Sequence, residues 1–204
     1  RQASGRGRLG RTWLSLSGGI YMTVVTRPQV APALAPRVSL IASVAVASTL
    51  RELFDVDARV KWPNDVLVEG RKLCGILSEM EAESDAVRYV NVGIGMNVNS
   101  DVNDTFPHAV ALVQLLGRPV DRALVARESV TLLLQMVADL ASARALDSWR
   151  KMSETLGREV SIQQGDAVIK GTAVDVEDSG ALVVRTRQGA RAVVFAGDCT
   201  YEGM

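Results

Sequence analysis

Residues 89–99 read YVNVGIGMNVN, and the alternation in this stretch restricts the fold more than any other feature of the chain. Successive side chains on a strand point to opposite faces. A period of two therefore puts Val90, Val92, Ile94, Met96 and Val98 on one face, and Asn91, Gly93, Gly95 and Asn97 on the other. The first is a core face. The second is a flat floor of glycine with amides beside it. Glycine weakens a strand, so two on one face need a reason: a ligand lying against the sheet, or a helix packed close to it. GIG is not a dinucleotide fingerprint, because no helix with a third glycine follows it.

The rest of the chain supplies partners for this strand. Residues 19–26 are β-branched and apolar and predict a buried strand. Pro28, Pro32 and Pro36 mark a connection, and a helical stripe of Val38, Ile41, Ala45, Thr49 and Leu53 runs through 37–54. Short strands are expected at 59–62 and 65–68 around a turn at Pro63-Asn64, with a second turn at 69–71. Longer strands are expected at 72–80 and 87–98, with the acids of 78–85 at a solvated hairpin tip, and helices at 121–142 and 144–155. Near Gly157 the pattern becomes short strands separated by turns at 178–180 and 188–189, as in a small SH3-like barrel. The expected fold class is α+β: a mixed or antiparallel sheet flanked by helices over 1–156, then a small β-barrel over 157–204.

Bulk properties exclude several functions. The formal net charge is +0, so a whole-protein basic field for holding nucleic acid is absent and any anion site is local. Cys74 and Cys199 lie far apart, which suits a reducing cytosol and gives neither a disulfide framework nor zinc spacing. No uninterrupted apolar run reaches the ~18 residues of a membrane span, and no signal peptide is visible. A cytoplasmic protein is expected.

The candidate local site begins with RQASGRGRLGRTW, residues 1–13, where Arg6, Arg8 and Arg11 alternate with Gly5, Gly7 and Gly10 and no acid intervenes. Guanidiniums and bare backbone amides clamp phosphate or carboxylate. An RGG-like tail would share this composition, but the stretch is short and runs straight into Trp13 and a core strand. Like charges repel and nothing apolar holds it, so the loop is expected to stay mobile until an anion arrives. In KWPNDVLVEGRKLCGILSEM, residues 61–80, Lys72 opens an apolar strand. It either meets an anion or snorkels out from the strand end. Strict alternation puts Lys72 and Gly75 on opposite faces, so either Lys72 belongs to the preceding turn or the strand is bulged. His108, the only histidine, has no nucleophile motif nearby and reads as surface. No metal-ligand cluster is evident.

Taken in order, GRGRLGRTW, KWPNDVLVEGRKLCGIL and VGIGMNVN resemble the catalytic domain of the biotin protein ligases, and the terminal barrel resembles the small domain that ends that family. The resemblance implies a class II synthetase-like domain and a two-step reaction. Biotin and ATP give biotinoyl-AMP, and a lysine of a biotin carboxyl carrier protein then takes the acyl group. It places Arg6, Gly7 and Arg8 in a loop closing over the ligands, with Arg11 in the same motif. Lys72 falls at the biotin carboxylate and α-phosphate, and Gln2 at the biotin pocket. Gly5, Gly75, Gly93 and Gly95 fall where a ligand approaches backbone. Trp13 falls against adenine, Asn97 at its edge, and Asn64 and Asp65 near the phosphates and the incoming amine. Lys72, Arg8 and Asp65 are the implied catalytic residues, with Mg²⁺ accompanying ATP and no metal ligand assigned to the protein. A homodimer fits the family; a membrane does not. The family carries a Ser-Thr-Asn segment before the arginine loop, so an N-terminally incomplete catalytic domain is expected. It is also expected not to bind DNA, since no helix-turn-helix is visible. Three alternatives stand beside this reading: lipoate ligation, whose enzymes share the fold but not this pair of motifs; an RNA-binding module; and a non-catalytic relic. RNA binding is disfavoured by the zero charge and the 4% aromatic content.

Overall fold

The computed structural model describes residues 2–102 and 106–202. The first sheet is built from β1 (Ile20–Thr26), β2 (Ala58–Lys61), β3 (Asp65–Val68), β4 (Arg71–Ala82) and β5 (Val87–Met96). Its strand order is β1-β5-β4-β3-β2, with every neighbour antiparallel. The alternation of residues 89–99 appears as expected up to Met96. Val90, Val92, Ile94 and Met96 are buried, and Asn91, Gly93 and Gly95 are only partly covered. The strand stops there, two residues short of the expected end. The Asn97 N–H donates to the Leu73 carbonyl, and Val113 and Leu112 reach back to the carbonyls of Val98 and Asn97 as the chain enters the short helix α2 (Leu112–Leu116), which the sequence reading missed.

The core helix is α1 (Arg37–Phe54), packed on β2, β3, β4 and β5 and crossed by α3 (Arg122–Ala138). Its Ile41, Ala45 and Leu50 are fully buried. A large aliphatic side chain buried in this way contributes roughly 1.5–3 kcal/mol. Residues 32–54 are long and apolar enough to cross a bilayer, although Arg37 interrupts the run and hides it from a count of uninterrupted apolar residues. Most of the window is buried inside the fold, so its apolarity is that of a core helix. Arg37 is itself buried and donates to the carbonyls of Leu140, Ser142 and Asp178. Those bonds bear on the first of two corrections. The expected helix 121–142 ends at Ala138, and the expected helix 144–155 shrinks to α4 (Asp147–Met152). The segment between them is turned inward, burying Leu140 and Leu146, with the carbonyls of Leu140 and Ser142 accepting from the guanidinium; at the far end of α4 the Glu154 N–H leaves the helix for the Val60 carbonyl. The other end of α3 follows its sequence, with the Asp121 carboxylate capping the N–H groups of Ala123 and Leu124.

The second sheet comprises β6 (Glu159–Gln164), β7 (Ala167–Val176), β8 (Leu182–Thr186), β9 (Arg191–Val194) and β10 (Asp198–Tyr201). It is a small antiparallel β domain in the order β10-β6-β7-β8-β9. Trp62, buried in the first domain, donates from its indole to the Gly180 carbonyl, and its backbone N–H donates to the Thr155 hydroxyl. Lys61 sits 4.5 Å and Arg158 4.9 Å from the centroid of the Tyr201 ring. These contacts seat the small domain beside the β2–β3 turn, and that placement makes it a wall of the cavity described next.

Candidate active site

A cavity of about 710 Å³ opens over the face of β4 and β5 that carries the glycines. A more open depression of about 860 Å³ lies on the small domain near Arg150 and Arg191. There two of the three lining arginines are already matched, Arg150 to Asp175 at 2.8 Å and Arg191 to Glu177 at 2.6 Å. The cavity over the sheet is different, because it collects the sequence motifs.

Its floor is Gly75, Gly93 and Gly95, with Gly75 and Gly95 directly paired across β4 and β5. The indole of Trp13 covers two of them. A methyl group on Gly95 would stand 2.6 Å from Trp13 Cε2, and one on Gly75 would stand 2.8 Å from Cζ3. Only glycine lets a flat ring lie that close to the backbone. The ring expected to meet a base therefore rests on the sheet.

Lys72 reaches the same cavity because β4 is bulged. Asp65 pairs with Gly75 and Val66 with Cys74, but Leu67 pairs with Lys72, so Leu73 is the extra residue. One inserted residue reverses the alternation and brings Lys72 onto the glycine face. The Lys72 backbone is held on its other side by residues 108–110: its N–H donates to the His108 carbonyl, and its carbonyl accepts from Val110. Its ammonium lies 2.6 Å from Asp65 Oδ1 and 5.5 Å from the centroid of the Trp13 ring. Asn64, at the β2–β3 turn, donates to the Ile76 carbonyl and accepts from Arg8 Nη1 at 3.2 Å.

The arginine loop adopts a defined turn held by bonds that the sequence reading did not anticipate. Gly7 N–H donates to the Arg11 carbonyl, Arg11 N–H to the Arg8 carbonyl, and Trp13 N–H to the Gly5 carbonyl. A short 3₁₀ turn at Arg8–Gly10 closes it. Mutual repulsion of the guanidiniums is offset by partners outside the loop. Arg8 also donates to the Gly197 carbonyl at 3.3 Å, and Arg11 pairs with Asp198. Burial pulls the Arg8 guanidinium below its ordinary range, with Asp65 opposing and Arg11 reinforcing that shift. A partly desolvated cation in a cavity favours an arriving anion.

Gln2, Arg6, Gly7, Arg8, Arg11, Trp13, Asn64, Asp65, Lys72, Gly75, Gly93 and Gly95 all line this one cavity. Gly5 lies beneath the loop, and Asn97 is buried beyond the end of β5; neither is on the wall. Sequence reasoning missed Asp198, Cys199 and Thr200, which come from the small domain, and the exposed His108 at the margin. No local signal marks the first three. Thr23 on β1 and Asn91 on β5 extend the floor past Gly93, and Asn91 was legible as a member of the glycine face. Burial pushes the Cys199 thiol up to about 11, with the Lys61 ammonium opposing, so it is a poor nucleophile.

The arrangement can hold two anionic groups side by side between guanidiniums and an ammonium, with a flat apolar surface beneath. The sequence model of the biotin/lipoate A/B protein ligase family matches residues 1–97, and that of the biotin protein ligase C-terminal domain matches residues 155–200. The bifunctional ligase/repressor BirA of Bacillus subtilis is 33% identical over 96% of this chain, which spans 63% of that protein's length. The biotin–[acetyl-CoA-carboxylase] ligase of Paracoccus denitrificans is 32% identical over 99% of this chain and 88% of its own. Among solved structures, a biotin protein ligase from Aquifex aeolicus in complex with biotin and ATP superposes with a TM-score of 0.83 at 26% identity, covering 99% of this chain and 86% of that one. A chain that carries both family domains, and runs beside a named ligase through nearly all of its length, belongs to the biotin protein ligase family.

Proposed function

We propose that this chain activates biotin with ATP and transfers it to a lysine of a biotin carboxyl carrier protein. A carboxylate oxygen of biotin attacks the α-phosphorus of ATP, the bond to pyrophosphate breaks, and biotinoyl-AMP forms. The amine of the carrier lysine then attacks the acyl carbon, AMP leaves with the former bond pair, and the amine proton passes to solvent. The observation that carries the reading is the convergence of Arg6, Arg8 and Lys72 above a glycine floor in one cavity. The first step brings two anions together and the second releases one, and a fixed set of cations in a partly dry site lowers both barriers by meeting the charge as it develops. Lys72 is the residue that would meet the carboxylate and the α-phosphate. Asp65, 2.6 Å away, holds its ammonium in place, and Asn64 orients Arg8.

Mg²⁺ enters this reading as part of the nucleotide substrate. Among the described residues no three His, Cys, Asp or Glu side chains gather, and Asp65 is engaged by Lys72. Phosphate oxygens and water would supply most of the metal's ligands, as they commonly do for Mg²⁺. Cys74 and Cys199 are both buried free thiols, which fits a reducing compartment such as the cytoplasm. The test is exchange of labelled pyrophosphate into ATP by the purified chain. Biotin should support the exchange and lipoate should not; exchange with lipoate alone would assign the other acyl group.

A further inference from the structure

The small domain does more than flank the cavity. Gly197 and Asp198, adjacent at the start of β10, take two of the three guanidiniums of the arginine loop. Gly197 has φ 154°, and a side chain there would stand 2.6 Å from Ile162 Cγ2 and 2.8 Å from the Gln163 carbonyl. Glycine thus lets this turn press against β6 while its carbonyl accepts from Arg8. The Asp198 carboxylate, next in sequence, meets Arg11. Through the second bond of Arg8, to Asn64, the turn is linked to the floor of the site.

We propose that Asp198 is a positioning residue: the resident counter-anion by which the small domain holds the arginine loop over the cavity before a nucleotide arrives. A loop whose cations repel needs a partner to close on. A carboxylate in the opposite wall provides one that an incoming polyphosphate can supplement or displace. The Arg11 side chain is 66% exposed and that of Asp198 26%, so the pair is reversible and salt-sensitive, as suits a loop that must reopen. The consequence for ligand retention rests on the proposed ligase activity; the docking itself does not.

Limited trypsin digestion of the purified chain, without added ligand, tests the docking. Cleavage after Arg8 and Arg11 is followed by mass spectrometry. Asp198→Asn should raise the rate roughly two- to five-fold, the range for a half-exposed ion pair. Asp198→Glu should restore it to near the parent rate. In an Arg11→Ala background, Asp198→Asn should add nothing to cleavage after Arg8, because the coupling is already lost. About 1 M salt should raise the parent rate towards that of the Asn variant without moving the variant. The salt comparison needs only a folded parent. Equal rates in parent and Asp198→Asn overturn the proposal, as does an undiminished effect in the Arg11→Ala background. With biotin and MgATP, Asp198→Asn should also release adenylate faster. A parent that makes no adenylate would count against the ligase reading and leave the digestion result to decide the docking.

Discussion

Replacing Lys72 by alanine should separate the chemistry of the site from its stability. The Lys72 side chain is 35% exposed and that of its partner Asp65 21%, so the ion pair is only partly withdrawn from water. Its loss should cost no more than about 1 kcal/mol after solvent screening. For a chain of this size that corresponds to roughly 2–4 °C in melting temperature. The effect on the reaction should be far larger. A preorganised donor aimed at charge that develops in the transition state is worth about 100- to 1000-fold in rate. Lys72 is preorganised on three sides, by the bulge at Leu73, by the backbone bonds to His108 and Val110, and by Asp65. The assay is biotin-dependent pyrophosphate exchange, with calorimetric unfolding of the same preparations. Lys72→Arg serves as the control, because it keeps the charge but moves it to a fork that cannot occupy the same point. An exchange rate for Lys72→Ala within about threefold of the parent would remove Lys72 from the reaction. A melting temperature lowered by more than about 10 °C would make it a structural residue instead.

Gly95→Ala should lift the Trp13 indole, since the new methyl would stand 2.6 Å from Cε2, roughly 1 Å inside ordinary contact. The expected result is altered tryptophan emission and a loss of ATP affinity of about tenfold or more; unchanged emission and affinity would show that the ring does not rest there in solution. Alkaline pH should destabilise the fold. Burial raises the thiols of Cys74 and Cys199, the latter from 9.0 to about 11, and raises the Tyr201 hydroxyl. Each group binds its proton more tightly folded than unfolded; the Cys199 contribution is complete below pH 9 and is lost as pH rises through 9 towards 11, and the losses from Cys74 and Tyr201, which are raised further, extend to higher pH. A melting temperature that stays level from pH 8 to 11 would contradict it, and Cys199→Ser should flatten part of the decline.

The sheet and its two faces were legible in residue order alone. Val90 to Met96 alternate, alternation has one structural meaning on a strand, and burial then follows the apolar face. Residue order also pointed to most of the motif residues that line the cavity, since chemically unusual groupings such as GRGRLGR and a lysine heading an apolar strand are local features. It erred where a local pattern was overruled from a distance. The stretch after Ala138 is a plausible helix until the buried Arg37 claims the carbonyls of Leu140 and Ser142. That Lys72 shares a face with Gly75 was settled in the folded sheet, because a bulge is set by the pairing of two strands and not by either alone. Only the folded chain, too, could join Arg11 to Asp198 across 187 residues of chain and turn a self-repelling loop into a folded one. Charges find their partners through space, and the partner here lies on a different domain.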